Sequence, residues 1–104
     1  MWWDGKIQRT FRCRLQQKAG ALGRLLTAVG DRGGLIGEIR TIQMGGSAVD
    51  RDITVYADDL RHLEALVATV RSSPEVALLE VRDEVLEMHQ GGKIAIRSRY
   101  DISS

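Results

Sequence analysis

Thr10-Phe11-Arg12-Cys13-Arg14-Leu15-Gln16 alternates apolar and polar side chains without interruption, the two-residue period of a strand with one buried and one exposed face. Directly after it the period changes. Leu22, Leu25, Leu26 and Val29 fall at i, i+3, i+4 and i+7, one stripe of a helix, and Gly30, Gly33 and Gly34 close that stripe as C-terminal breakers. A strand feeding at once into an amphipathic helix is half of a split βαβ unit, and the rest of the chain supplies the other half. Ile36 to Met44 reads as a second strand. Its isoleucines Ile36, Ile39 and Ile42 do not keep one parity, which predicts a bulge or strong bend near Gly37. Gly45-Gly46 predicts a tight turn. Val49, Ile53 and Val55 alternate with Asp50, Asp52 and Thr54 as a third strand, and Asp58 or Asp59 is suited to cap a second helix carrying Leu60, Leu63, Val67 and Val70. Ser72, Ser73 and Pro74 end that helix, and Val76 to Arg82 forms a fourth strand with Ala77, Leu79 and Val81 on one parity.

The order βαββαβ predicts an α+β, ferredoxin-like sandwich, with a four-stranded antiparallel sheet and both helices on one face. In that topology the first and third strands are central neighbours. Their polar parities then share the helix-free face, where Arg12 and Arg14 can meet Asp50 and Asp52 as cross-strand opposite charges. An RNA-recognition domain of the same topology needs aromatic stacking platforms on those strands. This face instead carries carboxylates, which argues against nucleic acid.

With 104 residues, the chain has the length of one compact domain. Its 43% apolar and 28% charged residues are a globular composition, and the net charge of +1 supplies no field that selects nucleic acid or an anionic membrane. The apolar runs are too short to span a bilayer. A single cysteine, Cys13, and no signal-peptide pattern point to the cytoplasm. Metal transfer would need two thiolates after the first strand, and that loop has none. An acylphosphatase-like site would need an arginine there, and Gln17 and Lys18 are the only polar candidates. Cys13, at an inward parity, reads as a small core residue, and His62, beside Arg61 and Glu64, reads as part of a solvated helix face. No catalytic constellation emerges.

The segment with functional promise is Gln17-Lys18-Ala19-Gly20-Ala21-Leu22. It ends at a helix N-terminus, whose free N–H groups and partial positive charge attract a carboxylate or phosphate. Gly20, between Ala19 and Ala21, lets a ligand approach the backbone, and Lys18 adds a counter-charge.

That frame, with Leu25-Leu26 and Gly33-Gly34-Leu35-Ile36 after it, resembles the ACT domain, a regulatory module that senses amino acids and other small metabolites. The resemblance covers about Thr10 to Asp83. Gly20 and Leu22 match the family's loop, while Gln17 stands where an acidic residue is usual, Ala19 where proline is usual, and Leu35 where an asparagine or aspartate often helps hold a ligand. It implies ligand contacts from Lys18, Ala19, Gly20, Ala21, Leu22, Leu35 and Ile36. Beyond it, Val81 to Ile96, and above all His89-Gln90-Gly91-Gly92-Lys93-Ile94, is similar to the junction between an N-terminal ACT domain and the catalytic part of bacterial malic enzymes. The resemblance therefore implies three parts: an N-terminal extension over 1–8, an ACT-like domain over 9–83, and a linker over 84–104 with short elements at Val85 to His89 and Lys93 to Ile96. No cofactor is expected in this segment itself, whereas the resembled parent would use NAD(P) and a divalent metal. ACT modules generally pair, which implies a homodimer or higher homo-oligomer with the Gly20 loop near the partner's ligand-contacting strand, and a small-molecule effector, an amino acid or organic acid. A ligand-free dimerisation module is the other expectation. Trp2 and Trp3, ahead of the first strand, are expected either to pack in the interface or to be poorly ordered.

Overall fold

A computed structural model describes residues 5–83. Trp2, Trp3 and the junction segment from Glu84 onward lie outside the described residues. The elements run β1 (Ile7–Gln16), α1 (Ala21–Asp31), β2 (Leu35–Gly45), β3 (Ala48–Ala57), α2 (Leu60–Arg71) and β4 (Val76–Arg82). They form one antiparallel sheet of order β2-β3-β1-β4, the ferredoxin-like arrangement. The first strand begins three residues earlier than its strict alternation suggests, because Ile7 continues the inward parity of Phe11 and pairs with Ala57.

Inward parity builds the core. Phe11, Cys13 and Leu15 of β1, Ile53 and Val55 of β3, Leu25 and Val29 of α1, and Leu63, Leu66 and Val70 of α2 form one buried cluster. Burial pushes the Cys13 thiol up to about 12, with the nearby Asp52 carboxylate adding to the effect, so this cysteine stays a protonated core side chain.

Helix ends follow local chemistry. Asp59 caps α2, its carboxylate accepting the His62 N–H at 2.8 Å. At the end of α1, Gly33 takes a φ of 83°, and the Gly34 N–H reaches Val29 O while the Gly33 N–H reaches Gly30 O. This is the paired bonding of a Schellman cap, in which the left-handed residue favours glycine. Gly30 lies inside the helix instead of terminating it.

Four details depart from the sequence expectation. The β2–β3 turn is formed by Gly46-Ser47, since Gly45 still pairs with Ala48. Beyond the irregularity expected near Gly37, which is found between Ile36 and Ile39, β2 has a second one between Thr41 and Gln43. In β4 the register against β1 shifts between Arg12 and Cys13, which oppose Glu80 and Leu78. Leu79 is thus the extra residue of a bulge and is 44% exposed, while Val76, Leu78 and Val81 pack on the core. A bulge inverts side-chain parity, so alternation in sequence misassigns Ala77 and Leu79.

His62 is the fourth. Its side chain is mostly buried. Nδ1 accepts the Asp58 N–H at 2.8 Å, which leaves Nε2 to donate to Arg32 O at 2.7 Å. It ties the end of α1 to the start of α2.

The helix-free face carries the expected cross-strand charges. Arg12 grips Asp52 through two bonds of 2.7 and 2.9 Å, and Arg14 grips Asp50 through two of 2.8 and 2.9 Å. Asp52 also accepts from Arg82 at 2.8 Å and Arg40 at 3.3 Å, so all four strands meet at one carboxylate only 3% exposed. Burial alone would push Asp52 upward, but hydrogen bonding from Arg12 and the charges of Arg82 and Arg12 hold it below the usual carboxylate range. A carboxylate with a depressed folded value contributes stability above its unfolded value of about 3.9 and loses it as pH falls through the folded one. Asp52→Asn, which removes the buried charge that three guanidinium groups share, should cost about 2–4 kcal/mol. Thermal unfolding followed by circular dichroism should show a lower Tm at pH 7 and a weaker loss of stability than the wild type between roughly pH 5 and pH 2.

Candidate functional site

The β1–α1 loop is anchored from two sides and closed by one bond of its own. The Gln17 N–H donates to Ser47 O at 2.8 Å, the Gln16 N–H to Glu75 O at 3.0 Å, and the Ala21 N–H to Lys18 O at 3.0 Å. The loop is thus stitched to the β2–β3 turn on one side and the α2–β4 turn on the other. Gly20 is the N-cap of α1 with φ 82°, and no side chain caps the helix start. Beside it opens a cavity of about 390 Å³, lined by Leu15 through Gly23 together with Met44, Val49 and Arg51, a size within the range of small-molecule sites.

Lys18, Ala19, Gly20, Ala21 and Leu22 all line this cavity. Leu35 and Ile36 do not. They pair with Tyr56 and Val55, at the opposite end of β3 from Val49, so the two groups of candidate residues stand roughly 20 Å apart along the strand.

Three residues outside the sequence-based set shape the electrostatics. Glu75, 15% exposed, receives Arg24 through two bonds of 2.9 Å and lies 3.2 Å from Lys18 Nζ. Hydrogen bonding from Arg24 holds its carboxyl below the usual range, with Lys18 adding to this. The Lys18 ammonium, read from sequence as a ligand's counter-charge, therefore has an internal partner. Arg24 also donates to Ala19 O at 3.1 Å, so its guanidinium lies across the loop. Arg51 sits on the inward row of β3 between Val49 and Ile53, opposite Cys13 and Thr41. It donates to the Thr41 hydroxyl at 2.6 Å, and it has no carboxylate partner among the described residues. A charged residue on an otherwise apolar parity was the available signal for Arg51. Glu75 left none, because its relation to the loop is purely tertiary.

Among the described residues the cavity wall therefore holds two cations and no carboxylate, above an apolar floor of Leu15, Ala21 and Val49. Such a wall suits a small anion with an aliphatic body. Among the described residues no group of three His, Cys, Asp or Glu side chains could hold a metal ion, and no helix is long and apolar enough to cross a membrane.

Comparison with known proteins gives consistent relations. The chain is 39% identical over 97 residues, 92% of its length, to NAD-dependent malic enzyme 1 of Bacillus subtilis. It is 27% identical over 95 residues, 91% of its length, to the NAD-dependent malic enzyme of Geobacillus stearothermophilus. It spans only 22% and 20% of those proteins. The fold matches the crystal structure of the ACT domain from GTP pyrophosphokinase of Chlorobium tepidum, with a TM-score of 0.60 at 13% identity, covering 73% of this chain and 97% of that one. No family model matches.

Gly20→Ala tests the loop geometry. A Cβ there would fall 2.6 Å from Arg24 Nη1 in a left-handed backbone, so the substitution should cost about 1–2 kcal/mol from the backbone alone and displace Arg24 from Glu75. Chemical denaturation should report the lowered midpoint.

Proposed function

Because the chain joins an ACT fold to sequence similarity with NAD-dependent malic enzymes, we propose that it is the metabolite-sensing regulatory module of a malic-enzyme-like malate oxidoreductase, itself without catalytic activity. The cavity beside Gly20 supports this reading: among the described residues one of its two cations, Arg51, has no carboxylate partner, and it opens at an uncapped helix N-terminus. In this reading, residues 1–8 are an extension, 9–83 the module, and 84–104 lead into the catalytic part. That part would bind NAD, as the relatives' names indicate, and supply its own divalent-metal ligands. A cytoplasmic setting follows from such an enzyme's metabolic substrates.

The sensing is a linkage effect. A ligand that binds one arrangement of the module more tightly shifts the attached catalytic part by that differential affinity and no more. An organic acid or amino acid satisfies the anionic requirement.

A second reading, a ligand-free assembly module, is favoured by β2. All but two of its residues are exposed, and Leu35, Ile39, Ile42 and Met44 are 37–59% exposed on an unpaired sheet edge. Such an edge is a liability unless another strand or surface covers it. A second copy pairing through this edge would bring Leu35 and Ile36 of one protomer toward the Gly20 loop of the other. Sensing and pairing are compatible, since a ligand at that joint would couple to assembly.

Thermal-shift measurements against amino acids and organic acids separate the readings. A ligand at a hundredfold excess over its Kd should stabilise the native state by about 2.7 kcal/mol, and the absence of any shift at millimolar concentration would leave assembly alone. Sedimentation velocity at micromolar concentration should show a dimer or larger species. A pure monomer there would remove pairing from both readings.

A further inference from the structure

We propose that Arg51 is the anion anchor of the cavity beside Gly20 and that the ligand class is a small aliphatic monocarboxylate. This rests on the sensing reading above and deepens it.

The argument begins with parity. On β3 the row Val49, Ile53, Val55 and Ala57 is buried against the helices, and Arg51 interrupts that row. A guanidinium on the core-facing parity of a central strand carries a desolvation cost that a neutral residue would avoid. The cost is tolerated because this position opens into the cavity between the β1–α1 loop and Met44. Of the two cations in the wall, Lys18 is occupied, its Nζ lying 3.2 Å from a Glu75 oxygen. Among the described residues Arg51 has a neutral partner only, the Thr41 hydroxyl at 2.6 Å. That bond engages Nη1 and fixes the plane of the fork. A guanidinium carries five N–H donors in a geometry matched to a carboxylate, so donors remain beyond the Thr41 bond.

The rest of the wall selects the body of the ligand. Leu15, Ala21 and Val49 form a buried apolar floor, with Leu22 half-buried and Met44 exposed at the rim. Gln16 and Gln17 are the neutral polar residues. Among the described residues, no carboxylate in the wall would pair with a ligand ammonium. An anionic head with a short branched aliphatic body satisfies both halves of the site.

Isothermal titration of the full chain with 4-methylpentanoate and with its neutral amide, 4-methylpentanamide, tests the assignment. The acid should bind and the amide should bind at least about tenfold more weakly, a charge-assisted hydrogen bond being lost. Arg51→Gln should weaken the acid by roughly ten- to a hundredfold and leave the amide unchanged. Arg61→Gln, which removes the same charge from the start of α2, at the opposite end of β3 from Val49, should alter neither. Equal binding of acid and amide by the wild type overturns the proposal without recourse to any variant, so it stays testable if Arg51→Gln fails to fold. Acid binding that survives Arg51→Gln in a folded protein overturns the anchor while leaving sensing intact. No binding of the acid overturns the proposed class and, when thermal shifts across the wider panel are also absent, the sensing reading with it.

Discussion

The pairing of β1 with β3 is the constraint on which the molecule depends. Ten consecutive residues of one oppose ten of the other without a register shift, so each side chain's face is decided for both strands at once. One parity supplies the floor of the core. The other brings Arg12 over Asp52 and Arg14 over Asp50. A slip of one residue would put the charges beneath the helices and Phe11 and Ile53 in water, so hydrophobic burial and charge pairing select the same register. Irregularities are confined to the outer pairings, β2 with β3 and β4 with β1. There, exposure makes a bulge inexpensive.

The same pairing positions the cavity. Its floor is the end of the central pair, Leu15 beside Val49, and its walls are the loop leaving β1 and the end of β2. Glu75 gives the loop its shape by holding Lys18 and Arg24 together and by accepting Gln16 through its backbone carbonyl. A loop with no proline and no capping side chain is thus ordered by contacts from a turn more than fifty residues away. Those contacts also absorb the positive charge of Lys18, which shifts the electrostatic weight of the cavity to Arg51.

How far the fold could be read in advance depended on whether a signal was periodic. Alternation in β1 and β3 and the i, i+3, i+4 stripes of α1 and α2 located those elements to within a few residues, because a half-buried strand or helix must repeat its apolar positions. Charge pairing across the helix-free face followed from topology and parity together. The bulge at Leu79 was not legible, since a strand with one extra residue still alternates on paper. Nor was the role of His62, whose two partners, Asp58 N–H and Arg32 O, are backbone groups without a sequence signature. In the candidate site, Lys18 to Leu22 could be identified from loop composition and family resemblance. Met44, Val49 and Glu75 come from three other places in the chain and could not, and Arg51 showed only as a charge on an otherwise apolar parity.

The amino-acid sequence by itself determined the order of elements, the faces of the two central strands and the location of the loop that opens the cavity. All of these are set by local periodicity and backbone chemistry. Only the tertiary structure decided which cation of that cavity is already paired, because Lys18 and Glu75 become neighbours only when β1 and β4 lie side by side in the sheet. It also separated Leu35 and Ile36 from the Gly20 loop, since an antiparallel hairpin carries the start of β2 to the far end of β3.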